Sequence, residues 1–231
     1  MVKVKFTPEQ VLNCQKVHWM EKLGVFKQVD SGEDYLFAWN WTGTKFQPIF
    51  NAINGLITDT SKAYVDKVFK NVYGYSSEAT ERYAVEKPNY TNGFKDCKLV
   101  DTDKGRQMDC FYQKLLFHSD SLREYRYSVM DRKAVYCIVK NKTVSRDDLI
   151  GKVVRYEFIE KFATDRLNAF CDVFNLDYGE LDVIHFNGWE YIIDVNPTPG
   201  DAAFIYMPKE QVKKYVNDYA QLMKQWLKDL H

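Results

Sequence analysis

No charge of either sign prevails in this chain. Lysine plus arginine and aspartate plus glutamate each number 32 among 231 residues, so no overall field draws the molecule to nucleic acid or to an anionic membrane. Nowhere do eighteen apolar residues run together, and the opening MVKVKFTPEQ has no apolar stretch of the kind that directs export. A cytoplasmic protein is expected. The five cysteines, Cys14, Cys97, Cys110, Cys137 and Cys171, are odd in number and lack CxxC spacing, which fits reduced thiols better than a disulfide framework or a zinc site. Glycine and proline are sparse (11 and 6) and scattered, so no linker, repeat or low-complexity segment breaks the chain. Histidine is scarce too: His18, His118, His185 and His231 are dispersed and suggest no general base.

What is present is a globular balance, 45% apolar and 28% charged, rich in large rings. A chain this long buries roughly 70% of its unfolded surface, enough for one large domain or two small ones. Thr7 as N-cap, Pro8 behind it and Gly24 at the far end predict a helix over 7 to 23, followed by a short strand over 35 to 39. Val65, Val68, Phe69 and Val72 step at helical spacing before Gly74. Strands are expected in RYAVEK (82 to 87), CFYQKLLF (110 to 117), EYRYSVM (124 to 130) and AVYCIVK (134 to 140). The polar stretch from 141 to 157 is ambiguous. A helix is expected over 158 to 174, with Ile159, Phe162, Ala163, Phe170 and Val173 on one face. Two strands, YGELDVIHF and WEYIIDV, flank Asn187-Gly188, and a helix from Pro208 turns Val212, Tyr215, Val216, Tyr219, Met223, Trp226 and Leu230 inward. Strands and helices segregated in this way imply an α+β layer architecture.

Asp182, Asp194 and Asn196 form the strongest local constellation, because a hard cation such as Mg²⁺ takes oxygen ligands from carboxylates and amides. The alternative is a solvated strand face carrying ordinary acids. A two-residue loop at Asn187-Gly188 would set Asp182 opposite Ile193 and Leu181 opposite Asp194, mixing polar with apolar. A three-residue loop, Phe186 to Gly188 with Gly188 in the αL region, sets Glu180 opposite Asp194, Leu181 opposite Ile193 and Val183 opposite Tyr191. That register is expected, since it gathers Glu180, Asp182, Asp194 and Asn196 on one face. Leu181, Val183, Tyr191 and Ile193 would then pack on the helix at 158 to 174. A second constellation is cationic: Lys62, Lys87, Arg126 and Lys140. Phosphoryl chemistry needs such charges to stabilise transferring oxygens, although each of the four taken alone reads first as a snorkelling surface residue. After Lys87, PNYTNGFKD is a turn-rich stretch whose backbone N–H groups could cover phosphates.

Taken in order, VEKP (85 to 88), FYQKLL (111 to 116), REYRYSV (123 to 129), LDYGELDVI (176 to 184) and YIIDVNPTPGD (191 to 201) resemble the ATP-grasp superfamily, in particular its compact, poorly characterised ligase-like members. The resemblance spans about Lys62 to Gly200. It implies an α+β fold in which two subdomains, each with an antiparallel sheet, grip ATP. It also implies a short N-terminal region at 1 to 60, an ATP lid subdomain at 61 to 117 and a metal-binding lobe at 118 to 231. The resemblance gives Lys62 (or Lys67 in the same helix) and Lys87 to the ATP phosphates, Tyr112, Gln113, Lys114 and Leu115 to the adenine hinge, and Asp182, Asp194 and Asn196 to Mg²⁺. Arg126 and Lys140 take the catalytic positions near the reacting phosphoryl group.

The implied activity is ATP-dependent ligation of a carboxylate to an amine through an acyl phosphate, with small molecules or peptides as substrates. A phosphotransferase acting on a hydroxyl and a non-catalytic nucleotide-binding module are the alternatives. Relatives carry a larger N-terminal domain, so a homodimer or a partner protein is expected to complete the acceptor site. Neither nucleic acid nor a membrane is expected as partner. A metal-dependent nuclease is disfavoured by the absence of a basic excess.

Overall fold

The structure, a computed structural model, describes residues 2–6, 15–29, 37–39, 54, 56–90, 96–117, 120–145, 147–149, 151–159, 164–197 and 207–229. Three sheets organise them. Strands β1 (Val2–Phe6), β2 (Phe26–Val29) and β3 (Phe37–Trp39) form a parallel sheet with β1 central, and helix α1 (Gln15–Lys22) connects the first two. Sequence reading had given this region one helix and one strand. Residues 7 to 14 and 35 to 36 of those two segments lie outside the described residues.

After helix α2 (Lys62–Tyr73) comes a small antiparallel sheet, ordered β5-β4-β6, of β4 (Tyr83–Pro88), β5 (Lys98–Asp101) and β6 (Cys110–Gln113). The large antiparallel sheet runs β11-β10-β7-β8-β9. Its strands are β7 (Ser121–Met130), β8 (Lys133–Thr143), β9 (Lys152–Ile159), β10 (Tyr178–Phe186) and β11 (Trp189–Asn196), with helix α3 (Asp165–Phe174) between β9 and β10 and helix α4 (Lys209–Asp229) at the end.

Local signals explain the helix ends. The Ser61 side chain accepts a hydrogen bond from the Tyr64 amide at the start of α2, and Gly74 closes the helix at φ 82°. In α3, Thr164 caps the start, and Leu167, Phe170, Cys171 and Phe174 form the buried stripe. The helix is therefore shorter than the expected 158 to 174. Ile159 ends strand β9, Val173 is exposed, and Phe162 and Ala163 lie outside the described residues. The ambiguous stretch before it becomes β9 because it pairs along β8, a long-range gain that no local pattern announces. Helix α4 buries Val212, Tyr215, Val216, Tyr219, Met223 and Trp226 as its spacing implies, and Leu230 lies outside the described residues.

The two faces of the large sheet have different fates. Leu181, Val183, Val195, Tyr127, Val139 and Cys137 join one core with α2 and α3. On the other face, Ile138 and Met130 pack with α4, and Ser128 Oγ lies 2.9 Å from Tyr215 Oη. That second face also carries the charged residues Glu124, Arg126, Lys140, Lys142, Glu180 and Asp182.

The expected three-residue loop at 186 to 188 is not formed. Phe186 pairs with Trp189 across a two-residue turn in which Asn187 (φ 51°) and Gly188 (φ 78°) both take the left-handed conformation, the geometry that matches strand twist in hairpins. The aspartates nevertheless share a face. The register shifts between Asp182 and Val183, so that Val183 opposes Ile192 while Asp182 opposes Asp194, and Ile193 is the extra residue of a bulge. The back of the hairpin keeps Leu181 and Val183 as expected, but opposite Val195 and Ile192 in place of Ile193 and Tyr191. Tyr191 instead opposes Ile184, with its ring tilted against Phe69 and edge-on to Tyr75. The β7-β8 hairpin repeats the device, with a two-residue turn at Asp131 and Arg132, both at positive φ, followed by a shift after Ser128 that leaves Val135 extra.

A Cβ added at Gly188 meets nothing within 4 Å, so only its conformation resists substitution. Gly188→Val should lower unfolding stability by roughly 1–2 kcal/mol, and Gly188→Asn by less. Denaturant midpoints at constant m-value measure the difference.

Candidate functional site

Cross-strand pairing sets the charged side chains in rows across the large sheet. One row runs Asn196, Glu180, Ser128 from β11 through β10 to β7, and the next runs Asp194, Asp182, Arg126. A third runs Ile184, Glu124, Lys140 from β10 through β7 to β8. The small sheet lies over these rows, and α2 brings its first residue to their edge. Three hydrogen-bond groups hold α2 and the small sheet together. Asn89 O accepts from the Lys62 amide at 3.1 Å and Asn89 Oδ1 from the Ala63 amide at 3.2 Å, which ties the end of β4 to the start of α2. Buried Asp66 accepts from the Ser77 amide at 2.6 Å and the Ser77 hydroxyl at 2.7 Å. The Lys114 amide in turn donates to Ser77 O at 2.8 Å.

The ion pairs form a chain from Glu180 to Lys142 and a separate pair at the sheet edge. Arg126 grips Asp182 bidentately, Nε to Oδ1 at 2.7 Å and Nη2 to Oδ2 at 2.8 Å, and its third nitrogen lies 3.4 Å from Glu180 Oε2. Lys140 Nζ stands 3.3 Å from Asp182 Oδ1 and also donates to Glu124 Oε1. Lys142 donates to the other Glu124 oxygen. At the edge, Lys62 Nζ donates to Asp194 Oδ1, with the two side chains 11% and 25% exposed. Burial opposes the charge of Asp182, but Arg126 and Lys140 outweigh it and hold the carboxyl well below the usual range. Burial likewise opposes the charge of Lys140, which Asp182 and Glu124 raise above its ordinary value. Lys87, 4% exposed, is pushed down to about 8, first by burial and then by the Lys62 ammonium.

Beside Lys87 a narrow cleft opens between the sheets, lined by Val85, Gln113, Leu116, Ile184 and Ile193 as well as the lysine. Its walls are apolar on both sides, and Lys87, Glu124 and Lys142 make its polar part.

The structure gathers most of the expected residues. Lys62, Lys87, Arg126, Lys140, Asp182 and Asp194 stand in or beside the cleft, and Lys67, the alternative to Lys62, is exposed on the far side of α2. Asn196 shares the face, directly opposite Glu180. Of the residues expected to line adenine, Gln113 and Lys114 line the cleft together with Leu116, whereas Leu115 lines a neighbouring recess with Trp189 and Tyr191. Tyr112 turns away into the small sheet, where its hydroxyl donates to Glu86 at 2.7 Å, because alternate residues of β6 face opposite sides. Residues 91 to 95 and 198 to 200, covering most of the expected phosphate loop and of the Pro-Thr-Pro-Gly turn, lie outside the described residues.

Glu124 and Lys142 were missed. The i, i+2 spacing of Glu124 with Arg126 and of Lys140 with Lys142 was the available signal. Among the described residues no three acidic, histidine or cysteine side chains converge on a metal position. The donor chemistry of Asp182 and Asp194, two carboxylates directly opposed on one face, nonetheless fits a hard divalent cation, and what occupies their oxygens here is Arg126, Lys140 and Lys62.

No family model and no curated protein matches the sequence. Solved structures do match. D-cycloserine synthetase DcsG superposes with a TM-score of 0.60 at 10% identity, over 96% of this chain and 100% of that one. The chain has the ATP-grasp fold. A RiPP-associated ATP-grasp ligase of Chryseobacterium gregarium, in complex with ADP and a leader and core peptide, follows at 0.57 and 13% identity, covering 100% of this chain and 98% of that one. D-alanine–D-alanine ligase of Bacillus anthracis complexed with ATP gives 0.52 and 13%, covering 100% and 99%. The match to the ATP-grasp ligase PsnB complexed with a minimal precursor spans 58% of that chain and 67% of this one, at a TM-score of 0.45 and 13% identity. The gripping sheets of the ATP-grasp fold are here the β5-β4-β6 sheet and the five-stranded sheet. Among the described residues no helix is long and apolar enough to cross a membrane.

Two outcomes follow from the electrostatics. Glu124, 1% exposed, neutralises two buried ammonium groups. Glu124→Ala should cost about 3–5 kcal/mol of stability in a denaturant melt, because it removes the carboxylate that the two buried ammonium groups share. The second concerns Lys87. Its folded pKa, about 8, lies below its ordinary value of 10.5, so the unfolded chain binds more protons between those values. Lys87 therefore disfavours folding below pH 8, and that penalty is relieved as the pH rises from about 8 to 10.5. Wild type should gain stability relative to Lys87→Met across that window in melts of the two proteins.

Proposed function

We propose that this chain is an ATP-dependent carboxylate–amine ligase working through an acyl phosphate, with Mg²⁺ held by Asp182, Asp194 and Asn196. One observation carries the reading. In a cleft between two antiparallel sheets, two directly opposed carboxylates stand within a chain of cations that reaches from Lys62 to Lys142. The same fold is found in D-alanine–D-alanine ligase and in a RiPP-associated ligase whose structure holds ADP and peptide, which supports small molecules or peptides as substrates.

On this reading the adenine lies between Val85 and Leu116 of one side and Ile184 and Ile193 of the other. Lys62 and Lys87 bind the phosphates. When bound, the metal would supply charge neutralisation at the phosphate oxygens. Arg126 orients the γ-phosphoryl group, and Lys140 sets the charge of Asp182 beside it. A substrate carboxylate oxygen attacks the γ-phosphorus, the bond from phosphorus to the bridging oxygen breaks, and ADP leaves. An amine then attacks the acyl carbon, loses a proton, and displaces inorganic phosphate as the amide forms. Holding both substrates in line with ATP converts two collisions into oriented steps.

Incubation with MgATP and pooled amino acids, peptides and small acids should produce a condensed mass, with one inorganic phosphate per amide. Phosphate retained on the product would instead make the protein a phosphotransferase. Asp194→Ala should lower ATP turnover at least 100-fold while circular dichroism stays unchanged. Turnover at the wild-type rate in the folded variant overturns the metal assignment.

A further inference from the structure

Every carboxylate on the charged face already has a cation. Asp194 has Lys62, Asp182 has Arg126 and Lys140, Glu180 has Arg126, and Glu124 has Lys140 and Lys142. Lys62, which would hold phosphate, and Asp182 and Asp194, which would hold metal, are therefore engaged in ion pairs. The pair at the edge differs from the rest. Lys62 and Asp194 come from different elements, the first turn of α2 and strand β11, and both keep some exposure, whereas the side chains of Asp182 and Glu124 are at most 5% exposed. Lys62–Asp194 is thus the pair that can open without dismantling the sheet.

Consider each ligand arriving alone. A nucleotide triphosphate without metal must draw Lys62 from Asp194 and leave that carboxylate beside a polyanion. A divalent cation without nucleotide must displace Lys62 and leave the ammonium beside two positive charges, with Lys87 close behind it. Arriving together, the two ligands exchange partners with the pair: metal to Asp194, phosphate to Lys62. No charge is then left uncompensated.

From this we infer that the Lys62–Asp194 ion pair is a latch that makes nucleotide and divalent-cation binding mutually dependent and excludes either ligand by itself. The inference rests on the ATP reading above and adds how that site is gated. Coupling of this kind is reciprocal, so it must be visible from both ligands.

The test uses the whole chain and two probes, a non-hydrolysable ATP analogue followed by calorimetry and Mn²⁺ alone followed by electron paramagnetic resonance. Wild type should bind the analogue at least 30-fold more tightly with Mg²⁺ than in EDTA. Asp194→Asn should bind it in EDTA about tenfold more tightly than wild type does. Lys62→Met should bind Mn²⁺ without nucleotide about tenfold more tightly than wild type. That gain should vanish when Lys62→Met is made in the Asp194→Asn background, which separates a broken pair from a general change of charge.

If wild type binds the analogue under neither condition, the ATP reading itself falls. If it binds equally well with Mg²⁺ and in EDTA, or if the Lys62→Met gain survives in the double variant, the latch is overturned and the ATP reading stands. Should Asp194→Asn fail to fold, the single Lys62→Met titration decides: an unchanged Mn²⁺ affinity overturns the latch.

Discussion

Arg126 and Asp182 lie directly opposite one another on adjacent strands of the large sheet, with two short hydrogen bonds between them, and much of the molecule is arranged around keeping that pair satisfied. Both groups are buried deeply enough that either would be intolerable alone. Their remaining valences recruit Glu180 on one side and Lys140 on the other, and Lys140 recruits Glu124, which recruits Lys142. A network that ended earlier would leave an unpaired buried charge. Completing it occupies four residues on two strands of the meander, β7 and β8, and two on β10.

Packing imposes the complementary constraint. One face of the same sheet must be apolar where it seats α2 and α3, and part of the other must be apolar to seat α4. Charged and apolar residues therefore have to alternate without a slip along strands joined by tight turns. The two-residue turns at Asp131-Arg132 and Asn187-Gly188 fix registers that would mix the two sets, and the bulges at Val135 and Ile193 shift each register by one residue before the charged rows begin. The bulge at Ile193 has a second effect. It lets an apolar cleft wall and a carboxylate, Ile193 and Asp194, follow one another directly in sequence while both serve the cleft.

On the proposed reading, stability and chemistry are served by the same side chains. The ion pairs that make the charged face tolerable in the absence of ligands are the ones a metal and a phosphate would replace, and the least buried of them lies where α2 meets the sheet edge. That helix is anchored to the small-sheet side of the cleft through Asn89 after β4 and through Asp66 to Ser77, and it reaches the large sheet through the Lys62–Asp194 pair, so any opening of the sheets would be felt at Lys62.

Much of this was legible in the linear chain. Ser61 and Gly74 mark the ends of α2, Val212 to Trp226 mark the buried face of α4, and alternation in EYRYSVM and AVYCIVK marks β7 and β8, because these signals act within a few residues of themselves. The order of Lys62, Lys87, Arg126, Lys140, Asp182 and Asp194 was likewise enough to nominate the site. Three matters were decided only by tertiary structure. The true turn and bulge at 186 to 193 depend on how β10 and β11 each satisfy a neighbour and two packed faces, so a rule based on loop length selected the wrong register and yet the right face. Strand β9 exists because β8 offers an open edge. Glu124 and Lys142 join the site because pairing lays Glu124 beside Lys140, sixteen residues away in the chain, and a buried charge takes its partner from whichever strand pairing brings alongside.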